Sequence, residues 1–450
     1  MSALPEQFIE RIRGQLPAEE TAAFLSSLQT EPPVSIRLNA QKTNNTLEKA
    51  ARVEWCETGY YLPYRPVFTL DPAFHAGTYY VQEAGSMLIE KLLAPYPEIL
   101  KNANVLDACA APGGKSTHLL SLLDAESVLV SNELIPNRNK TLRYNLSKWG
   151  YANKIITQSE PARLNTTNAR FDLIVVDAPC SGEGLFRKDP EAIQEWTADR
   201  AEQCAVRQGN ILQDLLPLLK TGGVLLYSTC TYNPAENDDL IHALLSTGKF
   251  ECITGTPPEG IVKTKYGWQA YPHLVRSEGF YCSLLRYCGP EHPLSKNKNP
   301  LPEKPRDLQS LTDEWLQTGS GLQAYSIKPY LYFANEKTAA MVHALQGAYL
   351  REFGIPAGEL KGKDFIPEAA LALSLNLNSE LSSVELSRDA ALEFLKCGNI
   401  QAEGAKNGWH TMNYQGHPLG WAKKINQRWN NYHPKEFRIL MNTVNDGMEY

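Results

Sequence analysis

The chain of 450 residues predicts an α/β protein whose centre is a parallel sheet with helices on both faces. Apolar runs of strand length recur at 104–108, 128–132, 154–157, 173–177, 224–228 and 279–286. Between them lie the helical patterns "KSTHLLSLL", "NRNKTLRYNLSKWG" and "ADRAEQCAVRQGNILQDLLPLLK". That alternation marks strands joined by helical crossovers. The third observation is bulk: 43% apolar and 21% charged residues suit a globular chain, and the length suits about three domains. Sheets of this kind bind ligands beyond the carboxyl ends of their strands, where the strand order switches. This directs attention to residues 107–115 and 177–184.

The elements follow in order. Residues 1–95 combine a helix over 6–28 with the strand-like pieces "VSIRLNA" and "GYYLP", a small α+β region. Residues 96–289 hold the sheet. "GPEHPLSKNKNPLPEKPRD" is dense in Pro, Lys and Asn, lacks apolar periodicity and reads as a linker. Beyond it, 307–380 forms one small unit and 381–450 a second, where "GWHTMNYQGHPLGWAKKINQRWNNYHP" reads as short strands and turns. The first residues lack a signal-peptide core, and no run reaches the ~18–20 apolar residues of a membrane span. A cytoplasmic protein without a membrane partner is expected.

Nine cysteines, at 56, 109, 180, 204, 230, 252, 282, 288 and 397, form no C-x-x-C pair. A zinc ribbon is therefore not expected, nor any metal. The plain reading of each is a buried thiol. Net charge is −6, which weighs against nucleic acid. Yet 404–438 carries Lys406, Lys423, Lys424, Arg428, Lys435 and Arg438 against Glu436 alone. Trp409, Tyr414, Trp421, Trp429 and Tyr432 interleave with them. Rings beside cations suit unstacked RNA bases, and the same rings would equally make the core of a small strand-rich unit.

"VLDACAAPGGKSTHLL" poses the main choice. Gly114-Lys115-Ser116 matches the end of a phosphate-binding P-loop, and Asp177 after "LIVV" resembles the acid that holds magnesium in such proteins. Cys109 stands where that loop needs its first Gly, however, and Pro112 removes an N–H from the cradle. The alternative ligand is S-adenosylmethionine. A Gly-bearing turn after the first strand lets backbone approach a nucleoside closely. Glu133, 19 residues past Gly114 at the end of "VLVSNE", has the spacing of a ribose-binding acid. Asp107 and Asp177 would favour the sulfonium cation.

Cys180 in "VVDAPCSGEG" and Cys230 in "LLYSTCTYNPAEN" follow the ends of strands that would be adjacent. A thiol beside a methyl donor suits carbon 5 of cytosine, which is a poor nucleophile until a thiolate attacks position 6. An acid at ring nitrogen 3 would assist, a role open to Asp177. A second thiol would assist release.

"DACAAPGGKST", "DAPCSGEG" and "YSTCT", in this order, with "YYVQEAGSM" and "RKDPEAIQEW" beside them, resemble the RNA 5-methylcytosine methyltransferases of the Nol/Nop/Sun type. The resemblance runs to about Arg286, and the tail is similar to the bacterial RsmF branch. It implies a Rossmann-like S-adenosylmethionine-dependent methyltransferase domain, a small α+β N-terminal RNA-binding region over 1–95 and C-terminal RNA-binding, PUA-like modules. It further implies Cys230 as nucleophile and Cys180 as the residue promoting release. Cofactor binding would fall to Cys109, Ala110, Ala111, Pro112, Gly113, Gly114 and Lys115, to Glu133 at the ribose with Arg138 beside it, and to Asp177, which touches both cofactor and base. The family often has Asp after the third strand. Here the segment reads "TQSEPAR", and Glu160 is the nearest match. The implied partner is small-subunit ribosomal RNA near the decoding site, bound by a monomer. A P-loop nucleotide-binding protein and a non-catalytic RNA-binding scaffold are the rival readings.

Overall fold

The computed structural model describes residues 4–43, 50–294, 302–305, 308–362, 364–402 and 405–441. Parts of the expected linker, 295–301 and 306–307, lie outside the described residues.

The expected helix over 6–28 is two helices, Glu6–Gln15 and Ala18–Ser27. Pro17 divides them. The residue before a proline is driven out of the helical region, and Leu16 is extended at φ −118° and ψ 149°. A three-stranded antiparallel sheet follows, with Val34–Leu38 between Gly59–Leu62 and Tyr79–Val81. It docks on the central domain through Arg37, which is wholly buried. The guanidinium lies 4.5 Å over Trp149 and donates to Gln82 Oε1 at 2.8 Å and Thr117 Oγ1 at 2.7 Å.

The central sheet has ten strands. Its parallel part runs in the order Lys154–Thr157, Val128–Asn132, Asn104–Asp107, Phe171–Asp177, Leu219–Thr229. All but the outer ends of these strands are buried, as their unbroken apolar runs demand. Chain order reverses between Asn104–Asp107 and Phe171–Asp177, so Asp107 and Asp177 flank the switch point. The sheet is not wholly parallel. Phe280–Tyr287 pairs antiparallel with Leu219–Thr229, because it starts at the carboxyl rim of its neighbour: Tyr281 stands opposite Thr229.

The other edge is closed from far along the chain. Leu350–Phe353 pairs antiparallel with Lys154–Thr157. The segment around it carries a four-stranded antiparallel sheet: Gln323–Ile327, Tyr330–Ala334, Ile355–Lys361 and Asp364–Pro367. A last four-stranded sheet comprises Ser383–Glu385, Gly408–Tyr414, His417–Ile425 and Arg428–Asn431. Three parts of the chain meet at Lys42, whose Nζ donates to the carbonyls of Ala76, Lys148 and Leu373 at 2.7–2.8 Å. Of the five tail rings, Trp421 belongs to the core. It is 1% exposed, packs 5.4 Å from Trp315 and donates to Glu368 O, so it is not available to stack on a base. Trp409 lies under Lys423 and Trp429 under Lys424.

Candidate active site

The loop after Asn104–Asp107 opens the helix Gly114–Leu122. Gly113 caps it at φ +113°, a conformation side-chain-bearing residues avoid, and a Cβ there would press on Leu142 and Leu146 at 3.3 Å. The Ala111–Pro112 peptide is cis. The next crossover helix, Pro136–Trp149, holds the loop by its carbonyls. Arg138 donates to Ala111 O and Asn145 to Pro112 O, both at 2.8 Å.

Asp107 is fully buried. Its Oδ2 accepts from Ser116 at 2.6 Å, and Ser116 in turn accepts from Ser131 at 2.9 Å. Its Oδ1 is buried without a donor. Burial pushes this carboxyl up to about 7, against the opposing bond from Ser116. Such an orphaned acceptor is what a cationic or N–H-bearing ligand satisfies, and S-adenosylmethionine fits it. Glu133, at the end of the second strand, is also buried. It accepts from Ile135 N at 2.9 Å and lies 3.6 Å from Arg138 Nη1. Glu160 is exposed at the end of the third. Cys109 lies in the loop, and burial pushes its thiol up to about 12. It stays neutral, so its loop offers backbone rather than an ionised sulfur.

The fourth and fifth strands bring the other residues to the same rim. Asp177 stands opposite Ser228 in parallel register and accepts from its hydroxyl at 2.9 Å. Lys115 Nζ reaches Asp177 Oδ2 at 2.9 Å. Burial opposes the lysine's charge, but Asp177 outweighs it and the ammonium is held above its usual range. Cys180 Sγ lies 3.2 Å from Cys230 Sγ. The contact with Cys230, then burial, pushes the Cys180 thiol well above its usual range. Cys180 therefore keeps its proton and can direct it at the Cys230 sulfur.

The structure thus gathers Asp107, Lys115, Asp177, Cys180 and Cys230 around the switch point, with Glu133 and Arg138 on the loop's far side. Sequence reasoning placed Lys115 on the cofactor and missed its ion pair with Asp177. It also missed what fixes the Cys180 loop. Gln208 Nε2 bridges Pro179 O at 3.1 Å and Glu236 Oε2 at 2.9 Å, and Glu236 accepts from Ser181 N. Gln208 lies mid-helix in Ala198–Leu215, where nothing in the local pattern marks it. Elsewhere Cys56, Glu90 and His118 lie within 4.8 Å of one another. They form a hydrogen-bonded cluster in which His118 Nε2 meets Glu90 Oε2 at 2.8 Å.

Relatives show the family of the chain. The chain is 30% identical to the ribosomal RNA small subunit methyltransferase F of Photobacterium profundum, over 96% of this chain and 97% of that one. The chain belongs to the ribosomal RNA small subunit methyltransferase F family. The methyltransferase F of Aeromonas salmonicida is equally similar, 30% identical over 96% and 97%. Family models match in three parts: 16S rRNA methyltransferase RsmB/F over 92–286, the N-terminal domain of 16S rRNA methyltransferase RsmF over 4–84, and the methyltransferase RsmF PUA domain over 381–439. Among solved structures, a methyltransferase homolog from Pyrococcus horikoshii is 26% identical, with a TM-score of 0.54 over 63% of this chain and 95% of that one. The NSun6 of the same organism, solved with SFG, shares the fold at 20% identity and a TM-score of 0.54, over 63% and 98%. The methyltransferase F family thus unites the expected methyltransferase domain with an N-terminal domain and a PUA domain in one chain. No helix among the described residues is long and apolar enough to cross a membrane.

Proposed function

We propose that this chain transfers a methyl group from S-adenosylmethionine to carbon 5 of a cytosine in small-subunit ribosomal RNA, near the decoding site, through a covalent adduct on Cys230. The observation that carries the reading is the 3.2 Å approach of Cys180 and Cys230 beside Asp177. Residues 109–115 would hold the cofactor by backbone, Glu133 its ribose, Glu160 its adenine side and Asp107 a polar group near the methionine end. The cofactor supplies an electrophilic methyl group.

The chain's own residues do the rest. A cytosine within helical RNA must leave its stack to reach the rim. The Cys230 thiolate attacks carbon 6, and the electrons of the 5,6 double bond make carbon 5 nucleophilic. Asp177, protonated as the base binds, donates at ring nitrogen 3, and Lys115 and Ser228 hold its carboxyl in place. After methylation the carbon 5 proton passes to solvent water, its bonding pair reforms the 5,6 double bond, the sulfur–carbon 6 pair returns to Cys230, and ring nitrogen 3 gives its proton back to Asp177. The Cys180 S–H, aimed at that sulfur, stabilises the departing thiolate.

Bisulfite sequencing of ribosomal RNA from cells with and without the gene tests the substrate. Cys230→Ser is expected to lose methylation entirely. Cys180→Ser is expected to accumulate a protein–RNA adduct that survives a denaturing gel. Full methylation by Cys230→Ser would refute the reading.

A further inference from the structure

We infer that the first two helices of the chain, Glu6–Gln15 and Ala18–Ser27, brace the two thiol-bearing loops, with Arg11 and Glu183 as positioning residues. The inference rests on Cys230 and Cys180 being the reacting pair. Glu183 lies three residues beyond Cys180, in the "GEG" turn, and is fully buried. It binds both loops and the helix at once. Oε1 accepts from Arg11 Nη2 at 2.5 Å and from Trp196 Nε1 at 3.0 Å. Oε2 accepts from the backbone N–H of Tyr232, two residues beyond Cys230, at 3.2 Å. The helix also takes the carbonyl of Tyr232: Arg11 Nη1 donates to it at 3.3 Å and Gln15 Nε2 at 3.2 Å. Both backbone polar groups of one residue in the Cys230 loop are therefore tied to this assembly.

The apolar face agrees with the polar one. Phe8, Ile12 and Phe24 are 0% exposed. Phe8 packs edge-on against Phe186, just past the Cys180 turn, with ring centroids 5.0 Å apart. Phe24 packs against Tyr232 at 4.9 Å. The two loops also touch directly, through Gly184 N donating to Cys230 O at 2.8 Å. A carboxylate buried this deeply is strongly destabilising without its cation, so Arg11 settles whether the turn keeps its shape. These helices fall in the region expected from sequence to bind RNA. The brace gives them a separate task, the spacing of two sulfur atoms.

The test uses full-length Arg11→Met, Arg11→Lys, Glu183→Gln and Gln15→Leu, each checked for an unchanged melting profile. Gln15→Leu leaves the ion pair in place and removes two bonds, Gln15 Nε2 to Tyr232 O and Arg11 Nη1 to Gln15 Oε1, so it remains informative if the ion-pair variants fail to fold. The first readout is a chemical ruler. Diamide oxidises two adjacent thiols to a disulfide while itself being reduced to the hydrazine, and the rate of Cys180–Cys230 closure is followed by peptide mass mapping. The second is kcat and KM for methyl transfer. For Arg11→Met and Glu183→Gln we expect closure and kcat to fall together by about tenfold or more, with KM for RNA and cofactor within about twofold. Arg11→Lys should recover part of both, and Gln15→Leu should show a smaller parallel fall. Unchanged closure and kcat in folded variants, or a raised KM for RNA at constant kcat, would overturn the brace. The ruler needs no substrate, so a failure of the brace is distinct from a failure of the Cys230 mechanism, which the Cys230→Ser methylation assay and the Cys180→Ser adduct assay read alone.

Discussion

The two sulfur atoms lie 3.2 Å apart, and that contact raises the Cys180 thiol well above its usual range. Both lie just past strand ends beside small residues. Only the three-dimensional contact shows Cys180 kept protonated against its neighbour. Asp107 offers a prediction at the same scale. Burial raises its carboxyl to about 7, so it is protonated in the free protein on the acid side of that value and ionised on the alkaline side. A sulfonium cation favours the ionised form. The ratio of S-adenosylmethionine to S-adenosylhomocysteine affinity is therefore expected to rise with pH through about 7, and Asp107→Asn should flatten it. Calorimetric titration at pH 6 and pH 8 checks this, and an equal ratio at both pH values speaks against it. Asp107, Glu133, Asp177 and the thiols were legible as residues because strand ends mark themselves in sequence. Glu183 stands within the "DAPCSGEG" motif, yet its role is invisible in sequence, since its partner Arg11 lies 172 positions away.

Among elements, the rim depends on backbone meeting backbone. A Cβ on Gly184 would stand 2.6 Å from Gly279 O and 2.8 Å from Cys230 O. No flexible side chain can yield there. Gly184→Ala is expected to push the two loops apart and to reduce kcat by about tenfold or more, with cofactor affinity preserved. Methylation kinetics beside calorimetry separate the two effects, and wild-type kcat would show that the loops tolerate the shift. The strand positions were legible because buried strands are unbroken apolar runs. The direction of Phe280–Tyr287 was not, because such a run is symmetric with respect to polarity. The split of the first helix was written in Pro17, but an amphipathic pattern continuing on both sides masks one proline.

At the scale of the molecule, three buried histidines each favour the neutral folded state. Burial lowers His75 to about 3 and His118 and His433 to about 4. Between pH 6.5 and about 4 these histidines take up protons in the unfolded chain and refuse them in the folded one, so the stability they contribute falls as pH falls. Each histidine contributes up to ~1.4 kcal/mol per pH unit in that window. His118→Gln is expected to lose less melting temperature than the wild-type chain between pH 7.5 and pH 5; an identical change in both contradicts this. Truncation gives the second prediction. Ending the chain at residue 288 strips Leu350–Phe353 from Lys154–Thr157 and leaves the edge that carries Ile155 and Ile156 unpaired. The fragment is expected to associate on gel filtration and to bind cofactor poorly; a monomeric fragment with full affinity would count against it. The sequence divided the tail from the sheet at a proline-rich stretch. It could not reveal that the tail returns to complete the sheet, because strand pairing leaves no mark in a linker.

That returning strand also sets a timetable for synthesis. Tyr349 N binds Ser159 Oγ across 190 residues of chain. While the polypeptide is being made, the third parallel strand emerges long before its outer neighbour exists. The catalytic half waits, with one flank bare, until most of the message has been read. A product of a message interrupted before residue 350 therefore lacks the outer strand of the central sheet.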